Sequence, residues 1–178
     1  MRFTQSLLKE ANVGIREDFV AKARAEIGTV EGPKDNETKY GAFTKKNFLP
    51  WCGSFIMWCA HEVGFKFMPD VVYTPAGVAK FQGTGMWSAA DSAKPQPGDI
   101  VFFDFPGGEN VDHVGIVVKD NLDGSVVTVE GNTSPDTKPT GSQANGGQVC
   151  MKVRAYKKNN TRKLPVYVVG FGRPKWSK

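Results

Sequence analysis

A change of texture at Pro97 constrains the fold of this chain more than any other feature. Downstream of it, GDIVFFDF, DHVGIVVK, VVTVEGN, QVCMKVRAY and PVYVVGFG are short runs of β-branched and aromatic residues divided by turn-forming stretches. DNLDG, between the second and third runs, predicts an antiparallel hairpin. Residues 132–147 (NTSPDTKPTGSQANGG) read as a polar loop. Upstream the pattern is helical. Residues 17–27 place Val20, Ala23 and Ile27 on one helical face. A loop runs from Gly28 to about Pro50, and residues 52–63 (CGSFIMWCAHEV) form an apolar helix between Pro50 and Gly64. A further short helix begins at Thr74-Pro75, with Thr74 as N-cap and Pro75 at the first helical position. Helices grouped before an antiparallel sheet of five to six strands define an α+β domain, and residues 1–178 read as one such domain.

Several classes are disfavoured by the residues present. No apolar run is long enough to span a bilayer, and the opening MRFTQSLLKEANVGI lacks the extended apolar region of a signal peptide. The net charge is +5, which suits an anionic polymer, but the lysines are dispersed and no nucleic-acid motif is present. Three cysteines, Cys52, Cys59 and Cys150, cannot all pair within the chain, and no CxxC spacing points to zinc.

Position distinguishes these cysteines. Cys52 opens a predicted helix, where free backbone N–H groups and partial positive charge suit a thiolate nucleophile and an oxyanion. Cys59, two turns further on, and Cys150, within a strand, read as packing residues. Of the two histidines, His61 falls inside the helix as a surface or rim residue, whereas His113 starts a strand and shares a face with Gly115 and Val117. An imidazole there can exchange protons with a thiol and with a leaving amine. Glu130 and Asn132 lie two apart on the next strand, roughly 7 Å from one another on a common face. Folding about DNLDG carries them back toward His113, where an acceptor would fix the imidazole tautomer. Asp112 and Asp104 are competing carboxylates, but Asp112 faces away from His113 and Asp104 lies on a different strand. The order Cys, His, Glu/Asn is that of papain-like nucleophile, base and orienter.

PWCGSFIMWCAHEVG, KPQPGDIVFFDF, DHVGIVV and VEGNTS, followed by GGQVCMKVRAY and VVGFGRPKW, resemble in order the segments of the CHAP family, the cysteine, histidine-dependent amidohydrolases and peptidases. The resemblance covers roughly residues 18–175 and implies a papain-like fold. It assigns Cys52 as nucleophile, His113 as general base, Glu130 as orienting acid and Asn132 as the amide that contacts the histidine or completes the site. Calcium-dependent members carry aspartates just before the nucleophile; here FTKKNFLPW has none, so neither metal nor other cofactor is expected.

The resemblance also implies bacterial peptidoglycan as substrate, cleaved as an N-acetylmuramoyl-L-alanine amidase or a peptidoglycan endopeptidase. A phage endolysin is the expected setting. Such a protein is expected to be a monomer with no transmembrane segment and no nucleic-acid partner, held in the host cytoplasm and released by a holin to the cell wall. A virion-associated or wall-remodelling hydrolase, or a non-catalytic wall-binding relative, are the alternatives.

Overall fold

The computed structural model describes residues 2–107, 110–138 and 140–176, with side chains from Gly14 onward. Helices α1 (Arg2–Ala25), α2 (Lys39–Phe43), α3 (Cys52–Glu62) and α4 (Thr74–Gly83) precede the sheet. The strands are β1 (Trp87–Ala89), β2 (Ile100–Phe103), β3 (His113–Asp120), β4 (Ser125–Thr133), β5 (Gln148–Ala155) and β6 (Val168–Gly172). They form one sheet in the order β1-β6-β2-β3-β4-β5, and every pairing is antiparallel. The expected α+β class and helix-then-sheet order are those of the structure.

Alternation along the strands divides the core into two. Ile100, Phe102, Val114, Ile116 and Val129 face the helices and pack with Phe55, Ile56 and Cys59 of α3. Val101, Phe103, Val117, Val126 and Phe171 form a second cluster on the opposite face. Side chains of this size each contribute about 1.5–3 kcal/mol when buried, so α3 is anchored chiefly by its apolar contacts. Gly53 makes the approach possible at its first turn: a Cβ there would lie 2.0 Å from the Val71 carbonyl oxygen.

Local details depart from the sequence reading. The first helix starts far earlier than residue 17 and ends at Ala25, so Ile27 lies beyond it and is exposed while Val20 and Ala23 are buried. The Gly28–Pro50 stretch contains α2, capped by the Thr38 hydroxyl accepting from the Gly41 N–H at 2.9 Å. Thr74 is the first helical residue of α4 rather than its cap, because its hydroxyl donates to the Val111 carbonyl at 2.7 Å. The short edge strand β1 has only three residues, too few for alternation to reveal.

Candidate active site

Cys52 is the first residue of α3, and its orientation begins with the residue before it. Trp51 is fully buried, stacks on Tyr40 at a ring separation of 5.2 Å, and donates its indole N–H to Glu31 Oε2 at 3.1 Å. It makes no side-chain cap to the helix. The first amides of α3 are therefore free of a Trp51 cap beside the sulfur. Cys52 itself is 4% exposed and opens on a groove of about 490 Å³ lined by Lys46, Leu49, Val72, Tyr73, Val111 and Asp112, among others.

His113 begins β3 and is completely buried against the Phe103 and Phe105 rings. Its Nε2 lies 3.0 Å from Glu130 Oε2. Its Nδ1 is buried without a hydrogen-bond partner among the described residues. Cys52 is near enough to affect the ring's charge, although no hydrogen bond of ordinary geometry joins the sulfur to it. Burial alone would lower the His113 pKa, but Cys52, followed by Glu130, raises it to about 9. Both neighbours favour the cationic imidazole, in which Nε2–H faces Glu130 and Nδ1–H has no acceptor among the described residues.

Glu130 is also completely buried. It accepts from the Thr128 hydroxyl at 2.6 Å, and from Arg154 Nε and Nη2 at 2.9 and 2.6 Å. Burial would raise its pKa; the opposing charge and hydrogen bonds of Arg154, with those of His113, bring it well below the ordinary carboxylate range. Ile116 pairs with Val129, so the next step brings Gly115 opposite Glu130. A Cβ at Gly115 would stand 2.7 Å from Glu130 Cγ, so the missing side chain makes room for the carboxylate.

Asn132 makes no hydrogen bond to the imidazole. Its amide donates to Asn36 Oδ1 at 3.1 Å and Asn145 Oδ1 at 2.9 Å, and accepts from the Gly147 N–H at 3.1 Å. Of the two expected roles, contact with His113 or completion of the site, a hydrogen bond to His113 is not made, because the β4–β5 register shifts between Glu130 and Thr133 and Asn132 takes a left-handed backbone with φ of 58°. This turns its amide toward the 142–147 segment. Of the competing carboxylates, Asp112 lines the groove and accepts from the Phe105 N–H at 3.1 Å. His61 stacks near Phe43 on the exposed side of α3, and Cys59 and Cys150 are buried.

Arg154 is the residue that the sequence reading missed. The signal was faint: Cys150, Lys152 and Arg154 alternate on β5, but only the pairing of Glu130 with Cys150 puts them on the carboxylate's face. Among the described residues, no group of three or more His, Cys, Asp and Glu side chains is placed to hold a metal ion.

A thiol at a helix start, an imidazole and a buried carboxylate are thus set between helices and an antiparallel sheet. The CHAP domain family matches residues 44–132, half of the chain, and the chain belongs to that family of amidohydrolases and peptidases. Similar solved structures include two of Ly7917. The crystal structure of Ly7917 shares 16% identity, covering 89% of this chain and 62% of its own, with a TM-score of 0.49. The crystal structure of Ly7917 with the hydrolyzing product of MDP shares 15% identity over the same shares, with a TM-score of 0.46. This chain thus spans under two thirds of those proteins' length. No curated protein matches the sequence.

Proposed function

We propose that residues 1–178 act as a single-domain peptidoglycan hydrolase, with Cys52 as nucleophile, His113 as acid and base, and Glu130 as the orienting acid. The observation that carries the reading is the divided use of His113: Nε2 is committed to Glu130, while Nδ1 is buried with no partner beside Cys52. An unpartnered buried donor costs about 1–3 kcal/mol, and catalysis supplies a reason for retaining it.

In this mechanism the Cys52 thiolate attacks an amide carbonyl, forming a C–S bond and a tetrahedral oxyanion. The Cys52 N–H, free at the helix start, stabilises that oxygen. Collapse breaks the C–N bond as His113 delivers its Nδ1 proton to the leaving amine. A water then gives a proton to Nδ1 and adds to the thioester. Collapse of that second intermediate releases the carboxylic acid and returns the sulfur as thiolate. Glu130 holds the ring and stabilises its positive form, while Asn132 acts at one remove, by fastening the 142–147 segment. Peptidoglycan as substrate is supported by the family resemblance and by the net charge of +5 toward an anionic wall. An endolysin-like lytic role is part of the same reading.

The test is digestion of purified cell walls by the wild type, Cys52→Ala and His113→Ala, with mass spectrometry of the fragments. Wild-type protein should release new amino termini, from the muramoyl–alanine bond or from within the peptides, and each variant should lose nearly all activity while keeping its circular dichroism spectrum. Full wall hydrolysis by Cys52→Ala would overturn the assignment.

A further inference from the structure

Arg154 lies outside the family-matched residues 44–132, on a strand that contributes nothing else to the row of Cys52, His113 and Glu130. Its guanidinium meets Glu130 as a fork, Nε on one carboxylate oxygen and Nη2 on the other. Nη2 also donates to Gln143 Oε1 at 3.0 Å. The plane is held from the side by Phe103 and Phe105, whose ring centres lie 5.5 and 5.1 Å from the guanidinium carbon. A bidentate pair of this kind fixes the plane of a carboxylate as well as its charge.

We infer that Arg154 is a positioning residue for hydrolysis, holding Glu130 as a carboxylate in the orientation that receives Nε2 of His113. The inference rests on the proposed roles of Cys52, His113 and Glu130. Its physical basis is charge balance around His113 and Glu130, which are completely buried. Thiolate, imidazolium, Glu130 and Arg154 together sum to zero. Without Arg154 the three remaining groups carry one net negative charge, which burial opposes. A proton on the Cys52 sulfur relieves that charge and removes the thiolate–imidazolium pair outright; a proton on Glu130 relieves it by taking away the charge that supports the imidazolium, which weakens the pair. Among the described residues no other cation faces Glu130. Glu130 faces His113 from β3, Thr128 on its own strand, and Arg154 and the Cys150 thiol from β5. Cys52 lies across the imidazole on α3, and Lys152 is engaged with the Ser134 carbonyl and Asp136.

The experiment follows the pH dependence of Cys52 alkylation by iodoacetamide in the full chain, read by mass spectrometry at Cys52, alongside cell-wall hydrolysis. Arg154→Gln retains a donor and removes the charge. It should lower kcat/KM at neutral pH about tenfold or more and move the acid limb of alkylation upward by about one pH unit. Arg154→Lys retains the charge but loses the fork. It should leave the limb in place and lower hydrolysis only about threefold. A folded Arg154→Gln protein with the wild-type alkylation profile overturns the inference, whatever its activity, because a purely structural role predicts that profile. If Arg154→Gln does not fold, Arg154→Lys decides: an upward-shifted limb despite the retained charge overturns it. Failure of the wider proposal is separable. Wild-type Cys52 that alkylates no faster than buried Cys59 would remove the nucleophile, whereas intact alkylation shifts without wall hydrolysis would remove only the substrate.

Discussion

Gly115→Ala should disable the site from a position that itself carries no chemistry. Alanine is compatible with a strand, and replacing a strand glycine ordinarily gains about 0.5–1 kcal/mol. Here the new methyl would meet Glu130 Cγ at 2.7 Å, while its 3.4 Å approach to the Val129 carbonyl oxygen is an ordinary contact. Ordinary carbon contacts are about 3.5–4.0 Å, so Glu130 must retreat by roughly 1 Å. It cannot do so cheaply, since its carboxylate is held by Thr128, His113 and both nitrogens of Arg154. Overpacking of this kind costs about 1–3 kcal/mol, and a 1 Å displacement in a catalytic row costs on the order of 100-fold in rate. The expected result is a folded protein with a modestly lower melting temperature and kcat/KM for wall hydrolysis reduced about 100-fold. Thermal melts followed by circular dichroism and initial rates of amino-terminus release measure the two effects. Wild-type activity in Gly115→Ala would refute the argument that Glu130 must occupy this one position.

With Cys52 and Glu130 pushing the His113 pKa up to about 9, its imidazolium form, and with it kcat/KM, should persist through neutrality and fall as pH rises through about 9. The same raised value stabilises the fold below about 6.5 and ceases to do so as pH passes about 9; an alkaline limb near 6.5 would contradict the buried ion pair. Asn132→Ala should leave the His113–Glu130 contact in place while releasing the bonds to Asn145 and Gly147, giving faster amide exchange over 142–147 and a smaller activity loss than Glu130→Gln. Equal losses in the two variants would point to a direct role for Asn132. Tyr73, 70% exposed on the groove beside Cys52, should act in binding: Tyr73→Ala should raise KM roughly fivefold, equivalent to about 1 kcal/mol of apolar contact, without changing kcat. A fall in kcat alone would place Tyr73 nearer to the reacting atoms.

What sequence alone determined was local. The α+β order followed from hydrophobic periodicity and turn residues, which act over a few positions. Cys52 at a helix start and His113 at a strand start were legible for the same reason, and the DNLDG turn was enough to bring Glu130 back to His113. Tertiary structure decided the rest. The bulge after Glu130 and the left-handed backbone at Asn132 turned that amide away from the imidazole, and a regular two-residue period cannot anticipate either. The partner of Glu130 depended on how β5 aligns with β4 after a long polar loop, so Arg154 looked like an ordinary strand cation until that register was known. A buried carboxylate is tolerated only where opposing charge and donors converge, and that convergence comes from residues far apart in the chain.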